Sequence, residues 1–131
     1  GSCQVDATLA QDSRLVVMEQ TNLKNVTSLP DCIDFCTLDV SFTSVIPLIA
    51  VVRNLCAPDR AGIVILIKPQ FEVGPESVSS SGIVHDEKEQ QRACSQIAKA
   101  LKEAGFVVQG ITPAPRKEAA GNQEFLVYAV R

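Results

Sequence analysis

The sequence predicts a Rossmann-like α/β sheet that finishes in an antiparallel pair of strands. Three observations predict it. Gly62-Ile-Val-Ile-Leu-Ile67 is an unbroken apolar run with four β-branched residues, the pattern of a parallel strand buried on both faces. Phe35-Cys36-Thr37-Leu38 and Phe125-Leu-Val-Tyr-Ala-Val130 read as two further buried strands. Helical stripes fall between strands, and two strands follow one another at the end, which is the order of an open α/β domain with an antiparallel finish.

Each element follows from its residues. Cys3 to Ala10 has Val5, Leu9 and Ala10 at helical spacing, so a short helix is expected. Leu15-Val16-Val17-Met18 reads as a short strand ending at Glu19, and Gln20 to Leu29, polar and rich in Asn and Thr, reads as loop. Asp34 to Asp39 is a strand. Ser44 is a suitable N-cap for a helix over 45–56, with Pro47 tolerated in its first turn and Ala57-Pro58-Asp59 as its stop. Gly62 to Lys68 is the central strand, ended by Pro69, which cannot donate to a ladder. Gly74 to Gly82 reads as a flexible loop, either a lid or a plain linker. Asp86 caps the next helix, with Glu89 in capping-box position. Cys94, Ile97, Ala98, Leu101 and Ala104 form its apolar stripe, and Gly105 ends it. Phe106 to Ile111 is a strand, Pro113 to Asn122 a turn-rich loop, and Gln123 to Val130 the last strand.

A chain of 131 residues makes one domain. A net charge of −3 gives no global basic field, so any nucleic-acid contact needs a local patch or another domain. The longest apolar stretch, Val45 to Val52, is too short to span a bilayer and contains Pro47. No secretory signal is visible, and Gly1-Ser2 reads as a cloning remnant or the start of a cut-out fragment. The five cysteines form no CxxC and no Cys/His cluster, so no metal site is predicted. They read as reduced, mostly core residues of an intracellular protein.

The chemistry gathers at strand ends. Lys68 stands at the carboxyl edge of the central strand, where open α/β sheets bind ligands; a lone lysine there would read as a side chain snorkelling to solvent. The arrangement recurs, however. The strand before it delivers Asp39, and the last strand is preceded by Glu124. If the strands are neighbours, an Asp, a Lys and a Glu converge on one edge. His85, beside Asp86, reads as a capping-region residue rather than a base, and Arg116-Lys117-Glu118 as a solvated turn rather than a phosphate contact.

Val17-Met18-Glu19-Gln20-Thr21-Asn22, Leu38-Asp39-Val40-Ser41-Phe42, Ile67-Lys68-Pro69-Gln70-Phe71-Glu72 and Gly121-Asn122-Gln123-Glu124-Phe125-Leu126 occur in this order. Together with Gly82-Ile83-Val84-His85-Asp86, they resemble the FtsJ-like RNA methyltransferases, in the branch called TlyA or hemolysin A. The resemblance covers nearly the whole chain. It implies an S-adenosylmethionine-dependent methyltransferase fold and methylation of a ribose 2′-hydroxyl, chiefly in rRNA, in the cytoplasm. It also implies a Lys-Asp-Lys-Glu tetrad in which Asp39, Lys68 and Glu124 match the last three members. Glu19, Thr21, Asn22 and Asp39 match the region near the methyl donor.

The departures from the pattern are as specific. The glycine-rich donor loop, the acid that holds the donor's ribose, the tetrad's first Lys and the small RNA-binding domain have no counterpart in these residues. Residues 1–131 therefore read as a partial FtsJ-like domain, truncated at its N-terminus, with weak or no binding of S-adenosylmethionine on its own. In the family's strand order, two strands lie between Leu15–Met18 and Asp34–Asp39. Their lack exposes strand edges open to a second copy. The competing reading is a non-catalytic, truncated domain acting in assembly. Membrane lysis, which the word hemolysin suggests, finds no basic amphipathic or spanning segment here.

Overall fold

Residues 1–115 and 117–131 are described by a computed structural model. Seven regular elements follow in order: α1 (Ala7–Ala10), β1 (Phe35–Leu38), α2 (Ile46–Leu55), β2 (Gly62–Ile67), α3 (Glu87–Glu103), β3 (Val107–Pro113) and β4 (Phe125–Val130). The strands form one sheet in the order β1-β2-β4-β3. β1 runs parallel to β2, whereas β4 is antiparallel to both β2 and β3. This is the predicted α/β sheet with its antiparallel finish. The reversed β4 matters for the site, because its first residues lie beside the last residues of β2.

The helices form where apolar residues recur at helical spacing. In α2, Leu48, Ile49, Val52 and Leu55 are buried. In α3, Ala93, Cys94, Ile97 and Leu101 are buried. Asp86 caps α3 by accepting from the Lys88 amide at 2.8 Å, and Gly105, at φ +89°, turns the chain out of it. Both helices pack into one core cluster with Ile63, Ile65 and Ile67 of β2 and Val127 and Ala129 of β4.

None of the described elements covers the opposite sheet face. Val64 and Leu66 are only half-buried, Phe35 is 56% and Tyr128 43% exposed, and their two rings lie 6.4 Å apart on that face. The expectation of strands buried on both faces is thus corrected: the β-branched run is buried on alternate residues only. The two sheet margins also differ. β3 carries a register irregularity between Val108 and Gly110 and ends in Pro113, devices that blunt an edge. β1 carries no proline, lysine or bulge along its four residues.

Four further expectations are corrected. Leu15–Met18 is not a strand; its residues are 42–80% exposed and outside the sheet. Strand propensity without a neighbouring ladder forms no strand. The first helix is a single turn, Ala7–Ala10, capped by Asp6. Glu89 does not close a capping box; its carboxylate accepts from Ser77 Oγ at 3.0 Å and from Arg92 Nε at 3.0 Å. All five cysteines are free, but Cys3 and Cys32 are exposed rather than in the core. Among the described residues no helix is long and apolar enough to cross a membrane.

Candidate active site

The register brings the strand-end residues together. Leu38 pairs with Ile65 and Ile67 pairs with Phe125, so the segments after β1 and β2 and the one before β4 share a sheet edge. Lys68 leaves β2 there. Its ammonium lies 2.7 Å from Asp39 Oδ1 and donates to Ser41 Oγ at 2.9 Å. The lysine side chain is 13% exposed and the Asp39 side chain 69%. A pair with so open a partner contributes at most about 1 kcal/mol to stability. What it fixes is direction: the ammonium is held at the lip of the sheet.

Glu124 is 7% exposed, one of two buried polar residues among those described. Its Oε1 accepts from Gln70 Nε2 at 3.2 Å. The other is Asn122. Its Oδ1 accepts from the Val84 amide at 3.0 Å, and its Nδ2 donates to Gly82 O at 2.9 Å and to Glu118 Oε1 at 3.0 Å. Asn122 therefore ties the end of the 74–82 loop to the segment that delivers Glu124. Ser79 adds a local closure, accepting at Oγ from the Ile83 amide at 3.1 Å. The Glu118 carboxyl is held below the ordinary carboxylate range. Hydrogen bonds from the Ala120 and Asn122 amides are the main causes, and the nearby Lys68 charge adds to them.

Phe42 is 90% exposed and adopts φ +65°, unusual for a bulky residue. Its ring packs against Phe71 with centroids 5.3 Å apart. An aromatic face thus stands in solvent one residue from Ser41, at a backbone cost of about 1–3 kcal/mol.

Glu72 anchors the start of α2 from below the site. Its two oxygens accept from Ser44 Oγ at 2.6 Å and from the Val45 amide at 2.8 Å. Ser44 is thus held by Glu72 and accepts from the Ile46 amide at 3.2 Å, while Val45 occupies the cap position. Burial pushes the Glu72 carboxyl up from its ordinary value, and the two hydrogen bonds oppose this. Because the folded value is raised, the folded state binds the proton more tightly than the unfolded chain. The resulting stability is present below the unfolded value and is lost as pH rises through the folded one. Glu72→Gln should remove that step. The difference in urea-unfolding stability between wild type and variant should therefore shift in the variant's favour as pH rises above the ordinary glutamate value. A difference independent of pH would show that Glu72 titrates as it does in the unfolded chain.

The structure brings Asp39, Lys68 and Glu124 to one edge, as expected. The other donor-region residues stay local: Glu19 accepts from the Cys3 amide at 2.8 Å, Thr21 donates to Glu19 O at 3.0 Å, and Asn22 accepts from the Lys24 amide at 3.0 Å. Of the Arg116–Glu118 turn, Arg116 lies outside the described residues. Roles for Ser41, Gln70, Glu72, Glu118 and Asn122 escaped the sequence reading. Their types are common in loops, and only pairing in space distinguishes them.

A mixed sheet of this order, with Lys, Asp and Glu gathered at the edge where a parallel pair meets a reversed strand, has the architecture of an open α/β ligand-binding domain. The whole of residues 1–131 matches the FtsJ-like methyltransferase family, and the chain belongs to it. Its relatives place it in the TlyA and hemolysin A branch. It is 33% identical over 130 residues to the 16S/23S rRNA (cytidine-2′-O)-methyltransferase TlyA of Mycobacterium tuberculosis, covering 98% of this chain and 48% of that protein. It is 29% identical over 136 residues to Hemolysin A of Brachyspira hyodysenteriae, covering 99% of this chain and 55% of that protein. The crystal structure of a candidate hemolysin from Lactococcus lactis superimposes with a TM-score of 0.91 at 35% identity, over 99% of this chain and 63% of the other. The chain spans about half the length of the curated relatives it matches.

Proposed function

We propose that these residues form the acceptor side of an rRNA ribose 2′-O-methyltransferase whose methyl donor is S-adenosylmethionine. The observation that carries this is the Lys68 ammonium, fixed by Asp39 and Ser41 at the sheet edge beside Glu124. When bound, the donor supplies an electrophilic methyl group. The protein's task is then to aim a ribose oxygen at it and take up the hydroxyl proton. Lys68 orients that oxygen and stabilises the negative charge that grows as the proton leaves, while Asp39 fixes the ammonium. Glu124 accepts a hydrogen bond from the hydroxyl and receives its proton as the oxygen takes the methyl group, the donor departing as a neutral thioether. Phe42 offers a ring on which a base stacks, an interaction worth about 1–3 kcal/mol. With a net charge of −3, these residues supply no general attraction for phosphate, so RNA affinity is assigned to parts of the protein beyond this chain. The proposed rRNA substrate is in keeping with a cytoplasmic protein.

The test is methyl transfer. The full-length gene product, incubated with rRNA and labelled donor, should place label on ribose 2′-oxygens. Label on bases alone, or none, would refute the proposal.

A second reading concerns the chain by itself: a non-catalytic domain that pairs through its open edge. The bare sheet face and the unguarded β1 margin favour it. A concentration-dependent dimer in analytical ultracentrifugation supports it, and a monomer throughout excludes it.

A further inference from the structure

We infer that Gln70 is a positioning residue that holds the Glu124 carboxylate away from Lys68 and keeps one of its oxygens open to a ligand. The inference rests on the methyltransferase reading above. Ile67 pairs with Phe125 in an antiparallel ladder, so Lys68 and Glu124 are the next opposed residues, placed as cross-strand neighbours. A lysine and a glutamate in that relation ordinarily form an ion pair. Here they do not: within 4.0 Å, Lys68 reaches Asp39 on the other side, and Glu124 has no cationic partner among the described residues. Gln70 occupies Glu124 instead, donating from Nε2 to Oε1 at 3.2 Å.

Gln70 reaches back because Pro69–Phe71 forms a single 3-10 turn, closed by Phe71 N donating to Lys68 O at 2.9 Å. The buried Pro69 and the Phe71–Phe42 ring contact hold that turn in place. The arrangement is unfavourable for Gln70 itself. Its Oε1 is buried without a hydrogen-bond partner, the one such side-chain atom among the described residues. Flipping the amide offers no relief, since it would set a carbonyl oxygen against the Glu124 carboxylate. Simple packing would be better served by Leu or Met. The gain lies with Glu124, whose Oε2 has no hydrogen-bond partner among the described residues and is not among their fully buried unpartnered atoms. One oxygen is pinned and the other remains reachable from the surface, beside an ammonium that faces the other way. A hydroxyl entering between them meets a donor and an acceptor that have not neutralised each other.

Gln70→Leu in the full-length gene product tests this. Steady-state methyl transfer to rRNA should show kcat lowered on the order of 10²-fold, with KM for RNA within about twofold of wild type. The thermal midpoint should be unchanged or higher, because an unpartnered buried oxygen is removed. A crystal structure of the variant should show Glu124 moved onto Lys68. Wild-type kcat, or a Glu124 that stays in place, overturns the inference. If Gln70→Leu does not fold, Gln70→Glu serves the same purpose, since a second carboxylate repels Glu124 toward Lys68. If the wild-type gene product transfers no methyl group, the functional reading fails. The Glu124–Lys68 distance in the variant still decides what Gln70 does.

Discussion

Lys68→Ala in the full-length gene product should lower kcat for rRNA methylation by about 10²–10⁴-fold, the range for a group that assists proton transfer at the reacting atom. The fold should survive. The lysine stands at the end of β2 rather than in the core cluster, so truncation opens no cavity among Ile63, Ile65 and Ile67. Its partners do not become buried orphans either, because the Asp39 side chain is 69% exposed and Ser41 is exposed. Methyl incorporation measured beside a circular-dichroism melt separates the two effects. An unchanged midpoint with lost transfer is the expected pair of results. Undiminished transfer would remove Lys68 from the mechanism and leave its contact with Asp39 as a surface ion pair.

The 131-residue chain alone should bind S-adenosylmethionine with a dissociation constant of about 1 mM or weaker. Donors of this type are held in α/β sheets by backbone amides of a glycine-rich turn after the first strand and by an acid at the end of the second. Neither feature occurs in these residues. What remains is Asp39, with Glu19, Thr21 and Asn22 hydrogen-bonded among themselves and their neighbours. Losing contacts and their preorganisation together removes several kcal/mol of binding, a factor of ten for each 1.4 kcal/mol. Titration calorimetry decides the matter, and micromolar binding would mean that this chain holds a donor pocket of its own.

The sheet was legible where chain-local signals suffice. The β-branched run of β2, the stripe of α3 with its Asp86 cap and Gly105 exit, and the paired final strands could all be placed from periodicity and capping chemistry. Lys68, Asp39 and Glu124 were legible because each closes or opens an apolar run, and strand ends of one sheet meet at its edges. Leu15–Met18 misled because β propensity describes fitness for a ladder, and whether a ladder is present is a tertiary fact. Glu89 misled for a similar reason: its spacing from Asp86 suits a capping box, but Ser77, twelve residues earlier in the chain, competes for it. Gln70 and Asn122 could not be assigned roles, since an amide's task is set by its partners, and those lie 54 and 38 residues away.

The unequal margins of the sheet limit how far it can grow. A ribbon polymerises when both its borders accept a new strand. Here the irregularity and Pro113 close one border, and only β1 remains receptive. Joining two copies through β1 uses up both receptive borders and leaves a blunt one at each end. Were residues 1–131 alone to pair through this edge, the association would stop at two, and concentrated preparations of that chain should yield a discrete species instead of fibres.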